Sequence, residues 1–133
     1  MTFVLDASIA LALALPDEHS AAAEQLIGHA TGSPPCVPTL WEYEILSGLR
    51  NAEARKRIDP DDGDLALALL QRLPVRMERP VAARVLSLAR EAGVSTYDAS
   101  YLAVAESRHL PLVTSDERLR RAALAVGVAV LEW

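Results

Sequence analysis

Four acidic residues occupy places where a carboxylate can do chemistry. Asp6 directly follows the apolar run Thr2 to Leu5, Glu44 lies in the first half of a helix opening near Thr39, Asp98 sits in the first turn of another helix, and Asp116 comes two residues after Thr114. Carboxylates that converge repel one another and raise some of their pKa values unless a cation sits among them. Hard oxygen ligands of this kind select Mg²⁺ or Mn²⁺ over zinc, and the matching chemistry is phosphodiester hydrolysis, with one or two ions activating a water and stabilising the leaving oxygen. Each acid also has a plainer reading. Asp116 is a good helix N-cap, and Asp98 follows Ser95 by three residues, an acid variant of the capping box. Glu44 suits a solvated helix position, whereas Asp6, set against an apolar strand, is the hardest to bury without a partner.

The elements around these acids alternate between strand and helix. Thr2 to Leu5 reads as a strand feeding a helix over Ser8 to Leu15 that Pro16 stops. Ser20 caps a second helix to about Ala30, and a short strand surrounds Cys36 and Val37. Trp41, Ile45 and Leu49, spaced four apart, mark the next helix. Asn51 to Asp64 is polar and Gly/Pro-punctuated, and reads as a loop or irregular helix end before helical Leu65 to Leu73. Val75 to Met77 is a strand, Pro80 opens a helix that Gly93 stops, and a further helix spans Thr96 to Arg108. Leu112 to Thr114 is a strand, Asp116 to Val126 a helix stopped by Gly127, and Val128 to Leu131 a last strand. This order predicts an α/β domain, an open parallel sheet with helices on both faces, whose functional groups lie beyond the carboxyl ends of the strands.

Composition narrows the class. The chain has 133 residues, 51% of them hydrophobic but only 5% aromatic, so Ala, Leu and Val must build the core of what reads as a single domain over residues 1–133. Cys36 is the only cysteine, which excludes an internal disulfide and suits a reducing cytoplasm; it reads as core rather than nucleophile. The apolar run from Phe3 to Leu15 is interrupted by Asp6, lacks a preceding basic residue and is too short to span a bilayer, so a cytoplasmic protein with no membrane partner is expected. A formal charge of −5 argues against nucleic-acid binding by bulk positive charge, without excluding a nuclease whose acids are neutralised by metal.

Rival catalytic classes are poorly served. His19, His29 and His109 are scattered, without a triad spacing, and read as surface residues. A receiver-type phosphoacceptor needs a lysine after a late strand, but Lys56, the only lysine, lies in the wrong segment. A haloacid-dehalogenase-type phosphatase would place an aspartate where this chain has Ser8.

Motifs spanning the chain carry a family resemblance. Val4-Leu5-Asp6-Ala7-Ser8 and the stretch from Pro38 through Trp41 and Glu44 to Leu49 resemble the first two motifs of PIN domains of the VapC toxin type. Thr96-Tyr97-Asp98-Ala99-Ser100-Tyr101-Leu102-Ala103-Val104-Ala105 and Leu110-Pro111-Leu112-Val113-Thr114-Ser115-Asp116-Glu117-Arg118-Leu119 resemble the third and fourth. The resemblance implies a PIN-like three-layer α/β/α domain with a short, mainly parallel central sheet. It implies an endoribonuclease that uses Mg²⁺ or Mn²⁺ and leaves 5′-phosphate and 3′-hydroxyl ends. Asp6, Glu44, Asp98 and Asp116 would form the acidic cluster: Asp6 and Asp98 as direct ligands, Glu44 acting through a water, and Asp116 completing a second ion site or orienting the nucleophilic water. Ser8 and Thr114 match hydroxyls that orient this set. The chain departs at Ser47, where many relatives carry asparagine, and Glu42 rivals Glu44; on a helix the two differ by roughly 200° of rotation, so only one can face the site.

The resemblance further implies a toxin of a toxin–antitoxin module, with RNA as substrate, a homodimer, and a small VapB-type antitoxin that lays a hydrophobic helix on the toxin and plugs the acidic site. The apolar surfaces around Trp41 and Tyr43 and the early Ala/Leu helix are the expected contacts. Arginines gather at Arg50, Arg55 and Arg57 with Lys56, at Arg72, Arg76 and Arg79, and at Arg118, Arg120 and Arg121. The last group follows Asp116 and is the one placed to meet phosphates. The alternative is a catalytically silent PIN-like binding module, against which the presence of all four acids speaks.

Overall fold

The computed structural model describes residues 2–16 and 21–132. Eleven elements follow in order: β1 (Val4–Leu5), α1 (Ala7–Ala14), α2 (Ala21–Gly32), β2 (Cys36–Pro38), α3 (Trp41–Ala54), α4 (Pro60–Gln71), β3 (Arg76–Glu78), α5 (Ala82–Ala92), α6 (Thr96–Arg108), β4 (Leu112–Val113) and α7 (Glu117–Ala125). The strands form one sheet in the order β3-β2-β1-β4, and every strand pair is parallel.

Strands buried on both faces must be apolar throughout, and Phe3, Val4 and Leu5 are each 0% exposed. Helix α6 lies across β1, β2 and β4 with α5 packed on it, while α1 packs against α2, α3 and α4. The sheet thus separates two helical layers in a three-layer α/β/α arrangement. An unbroken buried run from Ala99 to Ala105 makes α6 the central helix of its layer. Each large aliphatic side chain buried there stabilises the fold by roughly 1.5–3 kcal/mol. No helix among the described residues is long and apolar enough to cross a membrane.

The direction in which strands are added to the sheet reverses at β1. The chain leaves β1 toward β2 on one side, and β4 returns to its other side, with Val4 opposite Leu112 and Leu5 opposite Val113. Such a switch point leaves a crevice at the carboxyl ends of the strands. Asp6 stands there, its backbone N–H donating to the Val113 carbonyl at 3.0 Å.

Three expectations need correction. The segment Asn51 to Asp64 is mostly helix, with a short turn at 55–59: Ala52 is buried in step with Trp41, Ile45 and Leu49, so α3 continues to Ala54, and α4 starts at Pro60 behind a full capping box between Asp59 and Asp62. Its charged residues lie on the solvent faces of the two helices and in the turn that joins them. Nor is Val128 to Leu131 a strand, because only Val130 bridges to Leu112. His29 is no free surface residue; its ring stacks on Phe3 with centroids 5.7 Å apart. The expected Ser20 cap and His19 lie outside the described residues. The remaining boundary differences, such as α3 beginning at Trp41 after a turn at Thr39 and Leu40, are the usual fraying of helix ends.

Candidate active site

Asp6 is held by two hydroxyls, one from the helix it opens and one from the turn after β4. It occupies the N-cap position of α1 but makes no side-chain cap there. Instead its Oδ2 accepts from Ser8 Oγ at 2.7 Å and from Thr114 Oγ1 at 2.6 Å. Each hydroxyl in turn accepts a backbone N–H from the turn after β4, Ser8 from Ser115 at 3.3 Å and Thr114 from Asp116 at 3.0 Å. Both hydroxyl protons are therefore committed to Asp6, and the carboxylate is fixed in orientation. It is 7% exposed. Burial pushes its pKa above the ordinary carboxylate value; Thr114 and Ser8 oppose that rise, and the charge of Asp116 adds to it.

Glu44 comes in from the first turn of α3. Its Oε1 accepts a 2.5 Å hydrogen bond from the Tyr101 hydroxyl on α6, which itself accepts the Ala7 N–H at 3.4 Å. Burial raises the Glu44 pKa, the Tyr101 bond lowers it, and the charges of Asp6 and Asp98 raise it again. The phenol of Tyr101, wholly buried and facing Asp6 and Glu44, is driven far above its usual range, first by burial. It stays protonated, donating to Glu44 while accepting from Ala7. Glu42 is exposed and lines a different groove with Trp41, Leu67 and Leu70, so Glu44 is the residue turned toward the other acids.

Asp98 and Asp116 approach from helix starts. Ser95 caps α6 by accepting the Asp98 N–H at 3.1 Å, and Asp116 caps α7 by accepting from Arg118 and Leu119 at 2.9 and 3.3 Å. The capping reading of Asp116 is thus realised, and Ser95 makes its half of the expected box with Asp98, yet both acids also face the cluster. Burial raises the Asp98 pKa, Asp116 and Asp6 raise it further, and Arg118 lowers it. The structure therefore brings all four acids into one electrostatic neighbourhood. Within the last arginine group, Arg120 pairs with Glu132 and Glu117, and Arg121 with Glu117, whereas Arg118 acts on Asp98.

The donor set is made only of hard oxygens, which fits Mg²⁺ or Mn²⁺, and the rise in three carboxylate pKa values is the strain a cation would relieve. Among the described residues, no three Asp, Glu, His or Cys side chains are arranged so that they could hold a metal ion as they stand. The acids share a field rather than a finished cage. Of the surfaces expected to meet a partner, Trp41 is only 5% exposed and belongs to the core, whereas Tyr43 is 75% exposed. The residue that sequence reasoning missed is Tyr101. Its signal was its place three residues after Asp98, on the same helix face, but an aromatic in an Ala/Val/Leu run reads as packing.

Comparison with known proteins gives the arrangement a family context. The pattern of the PIN domain matches residues 3–124. The chain is 41% identical over 116 residues to ribonuclease VapC9 of Mycobacterium tuberculosis, with 87% of each chain covered. It is 32% identical over 123 residues to ribonuclease VapC3 of Pyrobaculum aerophilum, covering 90% of this chain and 92% of that one. The crystal structure of PAE2754 from Pyrobaculum aerophilum superposes with a TM-score of 0.75 at 28% identity, covering 98% of this chain and 83% of that one.

Proposed function

The chain belongs to the PIN-domain family, alongside the VapC-type ribonucleases, and we propose that it is a Mg²⁺- or Mn²⁺-dependent endoribonuclease acting as the toxin of a VapBC-type module. The observation that carries this reading is the convergence of Asp6, Glu44, Asp98 and Asp116 at the switch point of a PIN fold: Asp116 acts on Asp6 and Asp98, Asp6 acts on Asp98, and Asp6 and Asp98 both act on Glu44. Asp6 and Asp98 would hold the ion directly, with Glu44 acting through a water and Asp116 completing the set. When bound, the ion supplies Lewis-acid stabilisation of phosphoryl oxygens and a water made nucleophilic at neutral pH.

The chain's own residues prepare that chemistry. Ser8 and Thr114 favour the ionised form of Asp6 and fix its orientation. Tyr101 does the same for Glu44 and ties it to the start of α1. Arg118, beside Asp98, is placed to meet a phosphate of the substrate. RNA is the proposed substrate, cut to leave a 5′-phosphate and a 3′-hydroxyl. A small VapB-type antitoxin is the proposed partner, and a homodimer the proposed assembly.

One observation favours the silent binding module: no three ligands stand ready as a group among the described residues. Expression in a bacterial host separates the readings. The nuclease reading predicts growth arrest with fragmentation of cellular RNA, both absent for Asp98→Asn. Equal growth and intact RNA for wild type and variant would overturn it.

A further inference from the structure

Beside the acidic cluster lies an open groove of about 510 Å³, whose lining includes Tyr43, Glu44, Ser47, Asn51 and Tyr97. Its size falls in the usual range for small-ligand sites. Glu44 belongs both to this groove and to the cluster, so the two are continuous. The chain has six aromatic residues, from one Phe, two Trp and three Tyr, and leaves Tyr43 75% and Tyr97 65% exposed on this one groove. Each tyrosine directly precedes an acid of the cluster, Tyr43 before Glu44 on α3 and Tyr97 before Asp98 on α6.

The walls fit a flat, neutral, aromatic ligand with polar edges. Exposed tyrosines offer stacking faces, and the Ser47 hydroxyl and Asn51 amide offer both donors and acceptors. A bare phosphate would be repelled by Glu44, whereas the π-face of a base would not. Glu44, Ser47 and Asn51 set hydrogen-bonding groups along the groove, which the edge of a base can use and the apolar face of a partner helix cannot. Sequence-specific contacts to single-stranded RNA characteristically combine stacking on aromatic side chains with hydrogen bonds to base edges.

We infer that this groove is a base-binding subsite, in which an unpaired nucleobase next to the scissile phosphate stacks on Tyr43 or Tyr97 and presents its edge to Ser47 and Asn51. The inference rests on the ribonuclease reading and adds where the enzyme reads its substrate. Preference among bases would then come from Ser47 and Asn51, and tolerance of sequence from the tyrosines.

The test is binding of a single-stranded oligoribonucleotide carrying 2-aminopurine, followed by its fluorescence, in an Asp98→Asn background that prevents cleavage. Stacking predicts quenching on binding. Tyr43→Ala or Tyr97→Ala should weaken binding by about 5- to 100-fold and abolish the quenching, while the Phe variants retain both. Because both side chains are exposed, melting temperatures should not move, which separates a lost contact from a lost fold. Unchanged affinity and quenching in both Ala variants, with the parent binding normally, overturns the subsite and leaves the nuclease reading intact. Ala variants that bind RNA normally but lose a partner protein make the groove a protein-docking face, which also overturns it. A parent that binds no RNA, together with a wild type that cuts none, overturns both.

Discussion

The Tyr101 hydroxyl donates to Glu44 Oε1 at 2.5 Å across 57 residues of sequence, and so joins α6, which carries Asp98, to α3, which carries Glu44. Two acids on separate helices are thereby held to one geometry by a buried phenol. Tyr101→Phe removes the donor and leaves the Glu44 carboxylate and the Ala7 N–H without it. Urea unfolding should show a loss of about 1–3 kcal/mol, accompanied by slower RNA cleavage. A variant as stable and active as wild type would show that the bond positions nothing.

The hydroxyl pair on Asp6 yields a second prediction. Thr114→Val keeps the shape of the side chain but removes the donor to Asp6 Oδ2 and the acceptor for the Asp116 N–H. Groups that orient metal ligands are typically worth 10- to 100-fold in metal affinity, so Mn²⁺ titration should show a loss of about that size. Undiminished affinity would remove Thr114 from the site.

Burial raises the pKa of Asp6 above its ordinary value, so in the metal-free protein the folded state binds that proton more tightly than the unfolded chain does. The associated stability is present below the ordinary carboxylate pKa and is lost as pH rises through the raised folded value. In EDTA, Asp6→Asn should therefore match wild type in Tm at acidic pH and exceed it at neutral pH. Saturating Mn²⁺ should stabilise wild type but not the variant. A variant less stable than wild type at neutral pH in EDTA would contradict the sign of this effect.

The capping box of α4 supplies a control away from the site. Asp59 accepts the Asp62 N–H at 2.8 Å and Asp62 accepts the Asp59 N–H at 3.2 Å. Asp59→Ala should cost about 1 kcal/mol without changing RNA cleavage. Loss of activity beyond the loss of folded protein would mean that α4 reaches the site.

Much of this was legible in the sequence, for physical reasons that differ by segment. Helix α6 was readable to the residue because Ser95 caps it and apolar residues fill it. Asp6 was readable because a carboxylate at the end of an apolar strand needs partners; helical rotation allows only one of Glu42 and Glu44 to face the site, and the motif resemblance around Pro38, Trp41 and Leu49 selects Glu44. Tyr101 was not readable, since its role lies in a hydroxyl contact to another helix. The Asp59–Asp62 box was hidden by a charged stretch that resembles a loop until Ala52 and Ile58 are seen to be buried. The last strand failed because, after Gly127 turns the chain, only Val130 reaches the sheet edge.

The most direct test is cleavage of a defined single-stranded RNA by the purified, antitoxin-free protein in Mg²⁺, Mn²⁺ or EDTA, with Asp6→Ala and Asp98→Ala in parallel. Discrete fragments are expected with wild type in either metal, none in EDTA, and none with either variant. Fragments that persist in EDTA, or that both variants produce at the wild-type rate, would contradict a metal-dependent nuclease built on Asp6 and Asp98.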